Sequence, residues 1–405
     1  MTGTTGQHRI VVLGAGYTGM MCAVRLARRT SRDSVRVTLV NPSARFTERL
    51  RMHQLASGQQ LPDLRITDVL AGTGIEFLQG WARGIDPVRR QVRVDLVQGE
   101  QVEGEQVVRY DTLVYAIGSV ADVQRIPGAD TDAYSLDSPA AAARLAARLE
   151  QVPAGTVAVC GGGLTGVEAA TEIAENHPGA RVLLLSRDAP GSMMSQPARA
   201  YLNRALDRLG VEVRAGVEIA KVLPDAVELA DGELVPADAC LWTTGFVAPP
   251  LAADAGFTVD RHGRIVVDPT LRSVSHPSTY AIGDAAAVRQ AWGTIHGTCQ
   301  SGIPTGAYVA DAITRRVRGR RVSPFRFGYI HQPVSLGRRD AVIQFTRADD
   351  APRRWYLTGR PAVAYKEFVT SSPMTTYRLS KRVTIPGAAL SARGGRANRH
   401  GGATP

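Results

Sequence analysis

The chain has 405 residues, is 44% hydrophobic and contains 41 glycines. That length supports two or three domains with real cores, and no stretch approaches the roughly 18 apolar residues of a membrane span. The net charge of +11 is uneven: Asp311 to Pro405 carries 19 Lys+Arg against 5 Asp+Glu, which leaves the first 310 residues close to neutral. Such a basic part suits an anionic membrane, a nucleic acid or an acidic partner. It lacks the extended aromatic-interleaved basic patch of single-strand binders, so no specific nucleic acid is expected. The cysteines Cys22, Cys160, Cys240 and Cys299 form no Cys-x-x-Cys or Cys-x-x-x-x-Cys pair, which argues against a local redox disulfide and a zinc site; no metal is expected.

In chain order, the opening MTGTTGQHRIVVLGAG runs straight into a strand and a glycine loop rather than reading as a signal peptide, so a cytoplasmic protein is expected. Arg9–Leu13 is a buried strand, followed by Gly14, Gly16 and Gly19 and then by apolar residues at helical spacing. Val35–Val40 is the next strand. Short alternating strands fill the stretch from Ile75, and a buried strand, Thr112–Ala116, ends at Gly118. Ser138-Pro139 opens an alanine-rich helix. From Thr156 the plan repeats: strand, Gly161, Gly163 and Gly166, helix, strand ending at Ser186-Arg187, short strands, and a buried strand reaching Gly245. This is a duplication of layout. Gly283-Asp284 follows in Ser278–Val288, then a helix around Ser301–Val317. Residues Phe325–Arg382 read as small mixed α+β, and 386–405 as a disordered Gly/Ala/Arg-rich tail.

Each G-x-G-x-x-G follows a strand and opens a helix, which is the context that gives the pattern meaning. The first glycine allows the tight turn, the second lets backbone approach a pyrophosphate, and the third lets helix and strand pack closely. Two such units imply two dinucleotides. At the ends of the second strands, where an acid usually holds the ribose, stand Asn41 and Ser186-Arg187. Asn41 can still bond ribose hydroxyls. Ser186 can donate and Arg187 is cationic, a pairing suited to a 2′-phosphate, so NADPH is expected to serve at least as well as NADH.

With these motifs in place, the chain resembles the two-dinucleotide flavoproteins of the pyridine nucleotide-disulfide oxidoreductase superfamily. LVYAIGS (Leu113–Ser119), LWTTGF (Leu241–Phe246) and YAIGDAA (Tyr280–Ala286) match its segments in order. The resemblance implies an α/β fold with two Rossmann-like three-layer (β/β/α) domains. FAD would lie on residues 1–125 and 254–324, and NAD(P)H on an inserted domain, 126–253; a C-terminal α+β region, 325–385, and the tail follow. It implies FAD contacts from Ala116, Gly118, Gly283 and Asp284 besides the first glycine loop, and a nicotinamide-side contact from Gly245. Within this group GGGLTGVE resembles type II NADH dehydrogenases, the single-subunit NAD(P)H:quinone oxidoreductases. That resemblance implies a proton-handling role for Glu168 near the flavin and an acceptor-site role for Gln300 in CQSGIPTG, where Pro304 replaces the family's second Gln. Lys366 is a further acceptor-side candidate.

The cysteine-free NPSARFTERLRMHQLASG stands where disulfide reductases carry their pair, so electrons are expected to leave the flavin directly, to a quinone-like acceptor. Alternatives are a soluble flavin reductase for a metabolite or protein carrier, and an apoptosis-inducing-factor-like flavoprotein with a binding role. The C-terminal sequence shows no apolar helical stripe. A weak peripheral contact with anionic lipid at the inner membrane face is the alternative to a fully cytoplasmic place, and the protein is expected to be a monomer or homodimer.

Overall fold

The computed structural model describes residues 6–99, 101–383 and 385; the tail 386–405 expected to be disordered lies outside them. The apolar run β1 (His8–Leu13) sits mid-sheet, buried on both faces as central parallel strands are. After it come α1 (Tyr17–Arg29), β2 (Val35–Asn41), β3 (Glu76–Asp86), β4 (Gln91–Gln98), β5 (Gln101–Arg109) and β6 (Thr112–Tyr115). β1 pairs in parallel with β2 and β6. The start of β3 runs parallel to β2, and its remainder turns into an antiparallel meander with β4 and β5. The meander and the helices cover the parallel strands from opposite sides, which gives the expected three layers.

The chain then leaves this sheet for a second unit of the same plan. Its elements are α2 (Pro139–Gln151), β7 (Thr156–Cys160), α3 (Leu164–Asn176), β8 (Arg181–Ser186), α4 (Gln196–Arg208), β9 (Glu212–Ala215), a meander β10 (Ile219–Val222), β11 (Ala226–Leu229) and β12 (Leu234–Pro236), and β13 (Ala239–Trp242). The parallel order is β9-β8-β7-β13, with a short strand, Ala133–Tyr134, at the edge. Ser138 caps α2 by accepting from the Ala141 N–H, with Pro139 at the first turn. The outgoing and returning crossings pair with each other, Val120–Ala121 against Phe246–Val247. β14 (Thr279–Ala281) then rejoins the first sheet beside β6.

α5 (Cys299–Val317) starts two residues before the expected helix, because Thr298 and Ser301 form a reciprocal capping box. Pro304 lies inside it and forfeits one helical hydrogen bond. α5 packs directly on α1: a Cβ on Gly302 would lie 2.6 Å from Thr18 Cγ2, and one on Gly306 would overlap the Thr18 carbonyl oxygen. β15 (His331–Ser335), β16 (Ala341–Thr346) and β17 (Pro352–Thr358) form a separate antiparallel sheet, followed by α6 (Gly359–Ser380). α6 is the element least expected. It buries Ala362, Thr370, Pro373, Met374, Tyr377 and Ser380, a face too polar and small to read as a stripe. Tyr377 fixes it by donating to the Tyr17 carbonyl at 2.9 Å.

The α1–α5 contact has no room for a side chain. Gly306→Val is expected to lower stability by about 1–3 kcal/mol through overpacking, read as a clear drop in melting temperature. An unchanged melting temperature would contradict this packing.

Candidate active site

The first glycine loop is built by close approach. Gly14 has φ +96°, and a Cβ there would lie 2.5 Å from the Ala116 carbonyl oxygen. A Cβ on Gly19 would overlap the Gly14 carbonyl. Gly16, by contrast, has nothing within 4 Å of an added Cβ and starts α1 with no side-chain cap. The N–H groups there are open to an anion at the positive end of the helix, so the loop fits a dinucleotide pyrophosphate. Asn41 is turned to the loop itself: its Oδ1 accepts from the Ala15 N–H at 2.9 Å and its amide donates to the Ser43 carbonyl at 2.8 Å.

The C-terminal ends of β6 and β14 bring two further segments beside this loop. Gly118 (φ +76°) precedes Ser119, whose hydroxyl donates to Asp284 Oδ2 at 3.0 Å. Arg49 holds the Ser119 carbonyl at 2.7 Å. The Gly283 N–H donates to Thr305 Oγ1 at 3.0 Å, which ties Asp284 to α5. Gly14, Ala116, Gly118, Gly283 and Asp284 therefore share one end of the sheet, as ligand sites of open α/β sheets do.

The second loop repeats the construction. A Cβ on Gly166 would overlap the Gly161 carbonyl, while Gly163 is open and starts α3 uncapped. Thr243 Oγ1 donates to the Cys160 carbonyl at 3.0 Å and brings the turn before Gly245 alongside. The strand-end pair departs from expectation in one respect. The Ser186 hydroxyl donates its single proton to the Asp188 carbonyl at 2.7 Å, so it offers a ligand only its lone pairs. Arg187 is exposed and is the cation at this corner. Three cysteines are buried, and Cys160 and Cys240 on neighbouring strands lie 3.4 Å apart at sulfur, a proximity that sequence spacing did not reveal.

One turn into α3, Glu168 enters a buried cluster. Its Oε1 accepts from the Ser335 N–H and the Ser335 hydroxyl, both at 3.0 Å, and pairs with Lys366 Nζ at 2.6 Å. None of these contacts uses Oε2. Lys366 also donates to the Pro333 carbonyl at 3.2 Å, and His53 Nε2 lies 3.5 Å from Ser335 Oγ. Burial raises the Glu168 carboxyl, but Lys366, His53 and the Ser335 bonds outweigh it, so its pKa is lowered overall. Burial pushes His53 down to about 4. Lys366 was among the expected residues; Ser335 and His53 were not, and nothing local in PVSLG or LRMHQ marks them.

Gln300, the other residue expected on the acceptor side, bonds through both ends of its side chain. Its Oε1 accepts from the Ile330 N–H at 2.7 Å and its amide donates to the His331 carbonyl at 2.9 Å. Both ends of the side chain thus brace the start of β15. His331 in turn bonds Tyr365 at 2.7 Å through Nδ1, and burial pushes it down to about 4.

These features define a two-dinucleotide oxidoreductase fold. The chain belongs to the pyridine nucleotide-disulphide oxidoreductase family, whose model matches residues 8–310. It is 29% identical to an NADH dehydrogenase-like protein of Mycobacterium tuberculosis, over 90% of this chain and 93% of the relative. It is 26% identical to the alternative NAD(P)H-ubiquinone oxidoreductase C1 of Arabidopsis thaliana, over 83% and 72% respectively. The solved sulfide:quinone oxidoreductase of Aquifex aeolicus shares the fold, with a TM-score of 0.76 at 19% identity over 92% of each chain.

His53 and His331 stay neutral in the folded chain down to about 4, whereas the unfolded chain takes up their protons near 6.5. Their stabilisation is complete above pH 6.5 and is lost as pH falls to 4, at up to ~1.4 kcal/mol per unit for each group. The melting temperature is expected to fall over that window, and His53→Gln to flatten the fall. A flat profile between pH 6.5 and 4 would contradict this assignment.

Proposed function

We propose that this protein is an FAD-dependent oxidoreductase that takes hydride from NAD(P)H and passes electrons, without a redox disulfide, to a quinone-like acceptor. The observation that carries this reading is a pair of open, uncapped glycine loops on one chain whose flavin-side segment lacks cysteine. The named activities of the relatives from Mycobacterium tuberculosis and Arabidopsis thaliana support it.

In this reading Gly14, Gly16, Gly19, Asn41, Ala116, Gly118, Gly283 and Asp284 hold FAD. Gly161, Gly163, Gly166, Ser186, Arg187 and Gly245 hold the nicotinamide dinucleotide. Once bound, the flavin supplies hydride acceptance and onward electron transfer. The protein supplies placement and protons. Reducing a quinone to a quinol adds two electrons and two protons, so a group must bring protons to the acceptor oxygens. Glu168 is suited to this task, because Lys366 and Ser335 fix Oε1 and leave Oε2 for the acceptor side. Gln300 acts as a positioning residue, holding Ile330 and His331 at the rim of the same region.

Adding NADPH anaerobically to the yellow protein is expected to bleach its absorption, and a soluble quinone to restore it. NADPH is expected to give kcat/KM at least equal to that with NADH. Arg187→Glu should lower the NADPH value about tenfold, the worth of one charge-assisted hydrogen bond, and spare NADH. A strong NADH preference untouched by Arg187→Glu would refute the nucleotide assignment, and bleaching without quinone reoxidation would refute the acceptor assignment.

The C-terminal region supports a peripheral contact with anionic lipid. Trp355 is 75% exposed and Phe368 70% exposed, and Arg353 and Arg354 precede the tryptophan on β17. Among the described residues no helix is long and apolar enough to cross a membrane. Co-sedimentation with vesicles rich in phosphatidylglycerol is expected at low salt and should weaken with Trp355→Ser. Equal recovery with neutral vesicles, or no effect of the substitution, would contradict the contact.

A further inference from the structure

One cleft lies away from both glycine loops. It opens at the N-terminal ends of β6 and β14, whose opposite ends carry Gly118 and Asp284. Its volume is about 500 Å³, and its lining includes Arg90, Asp111, Arg272, His276, Tyr280 and Arg316. At roughly 3.3 Å per strand residue, it stands some 15–20 Å from the flavin-side segments.

The charge of this cleft is one-sided. Three arginines contribute to the wall, and the carboxylate in it is already engaged: Asp111 takes a two-pronged contact from Arg9, at 2.9 and 3.1 Å. Arg272 is held in place by donating to the Pro277 carbonyl at 2.8 Å through Nε. Arg90 has φ +56°, a left-handed conformation costly for a residue with a side chain.

An independent observation concerns Tyr280. It is 3% exposed, and its hydroxyl is buried beside the Arg316 guanidinium, with no acceptor for its own proton. A buried hydroxyl proton without an acceptor is costly, so such groups call for an explanation. Burial raises this hydroxyl's pKa, while the charges of Arg316 and Arg272 pull it back against Asp268. Both guanidinium groups therefore act on the same phenol.

We propose that this cleft is a binding site for a phosphoryl group, with Arg90, Arg272 and Arg316 supplying the charge and Tyr280 donating its hydroxyl. A phosphoryl group matches arginine geometry through paired N–H donors and gives the buried hydroxyl an acceptor. The cleft also has room for a small phosphorylated metabolite around that group. The site is independent of the redox reading, because it shares no residue with the nucleotide loops.

The test is calorimetric titration of the FAD-loaded protein at low ionic strength, with NADP⁺ saturating so that the dinucleotide sites are filled. Inorganic phosphate and ribose 5-phosphate are the two probes. Saturable binding of either supports the site; tighter binding of ribose 5-phosphate identifies a phosphorylated metabolite as the ligand, and equal binding identifies free phosphate. Arg316→Gln is expected to weaken binding at least ~10-fold, the worth of one charge-assisted hydrogen bond. Tyr280→Phe should weaken binding as well, while the melting temperature of the ligand-free protein stays close to that of the wild type, because the ring packing is kept and the hydroxyl proton has no acceptor in the free protein. Absence of saturable binding in the wild type, or binding unchanged in both variants, overturns the proposal.

Discussion

In the proposed reaction the chemistry of the acceptor side depends on one buried ion pair, Glu168 with Lys366. Taking a carboxylate and an ammonium out of water costs several kcal/mol each, and their attraction repays this only when the geometry is good and the remaining polar atoms are satisfied. Here the conditions are met by Ser335, which gives both its N–H and its hydroxyl to the same carboxylate oxygen, and by the Pro333 carbonyl on the ammonium. The pair spans three regions: α3 of the inserted domain, β15 of the C-terminal sheet and α6. His53, from the segment after β2, adds a fourth. Loss of either ion would leave the other buried and alone, a penalty of about 3–5 kcal/mol, so the C-terminal region is bound to the second glycine loop through its charges.

The scaffold around that pair is set by backbone approach. In each unit two glycines let the helix close on its strand, and the middle one leaves the helix start open. A Cβ at the closing positions would push helix from sheet and misdirect the N–H groups. The crossings between the units pair as a short ribbon, and Met52 and Ala56 from the segment after β2 pack into the core of the second unit. The fold thereby presents two anion-receptive helix ends and the buried carboxylate of Glu168 within a single framework.

The glycine loops, the apolar strands and the duplication were legible in the sequence because each is a local pattern: a strand, a turn and a helix within a few tens of residues. The Gly283-Asp284 turn was legible for the same reason, following directly on a buried strand. Ser335 and His53 were not. Ser335 meets Glu168 across 167 residues and His53 across 282, and neither has a neighbouring motif to mark it. Gln300 was legible as a polar residue at a helix start. The His331 carbonyl and Ile330 N–H it bonds lie at the start of β15, some thirty residues away, so the sequence could not reveal these contacts. α6 escaped pattern reading because its buried face is made of Ala, Thr, Ser, Met and a tyrosine anchored by its hydroxyl. Ser186 stands at the strand end as expected, but its hydroxyl proton serves the next turn of backbone.

In the proposed reaction Glu168 handles protons for the acceptor and takes no part in accepting hydride from the nucleotide. Rapid-mixing absorption of Glu168→Gln, set beside the wild type, separates the two halves of the reaction most directly. The account predicts that bleaching by NADPH stays within about twofold, while reoxidation by quinone slows by 10²-fold or more, the usual range for a lost general acid or base. Reoxidation at the wild-type rate, or a loss confined to bleaching, would contradict it.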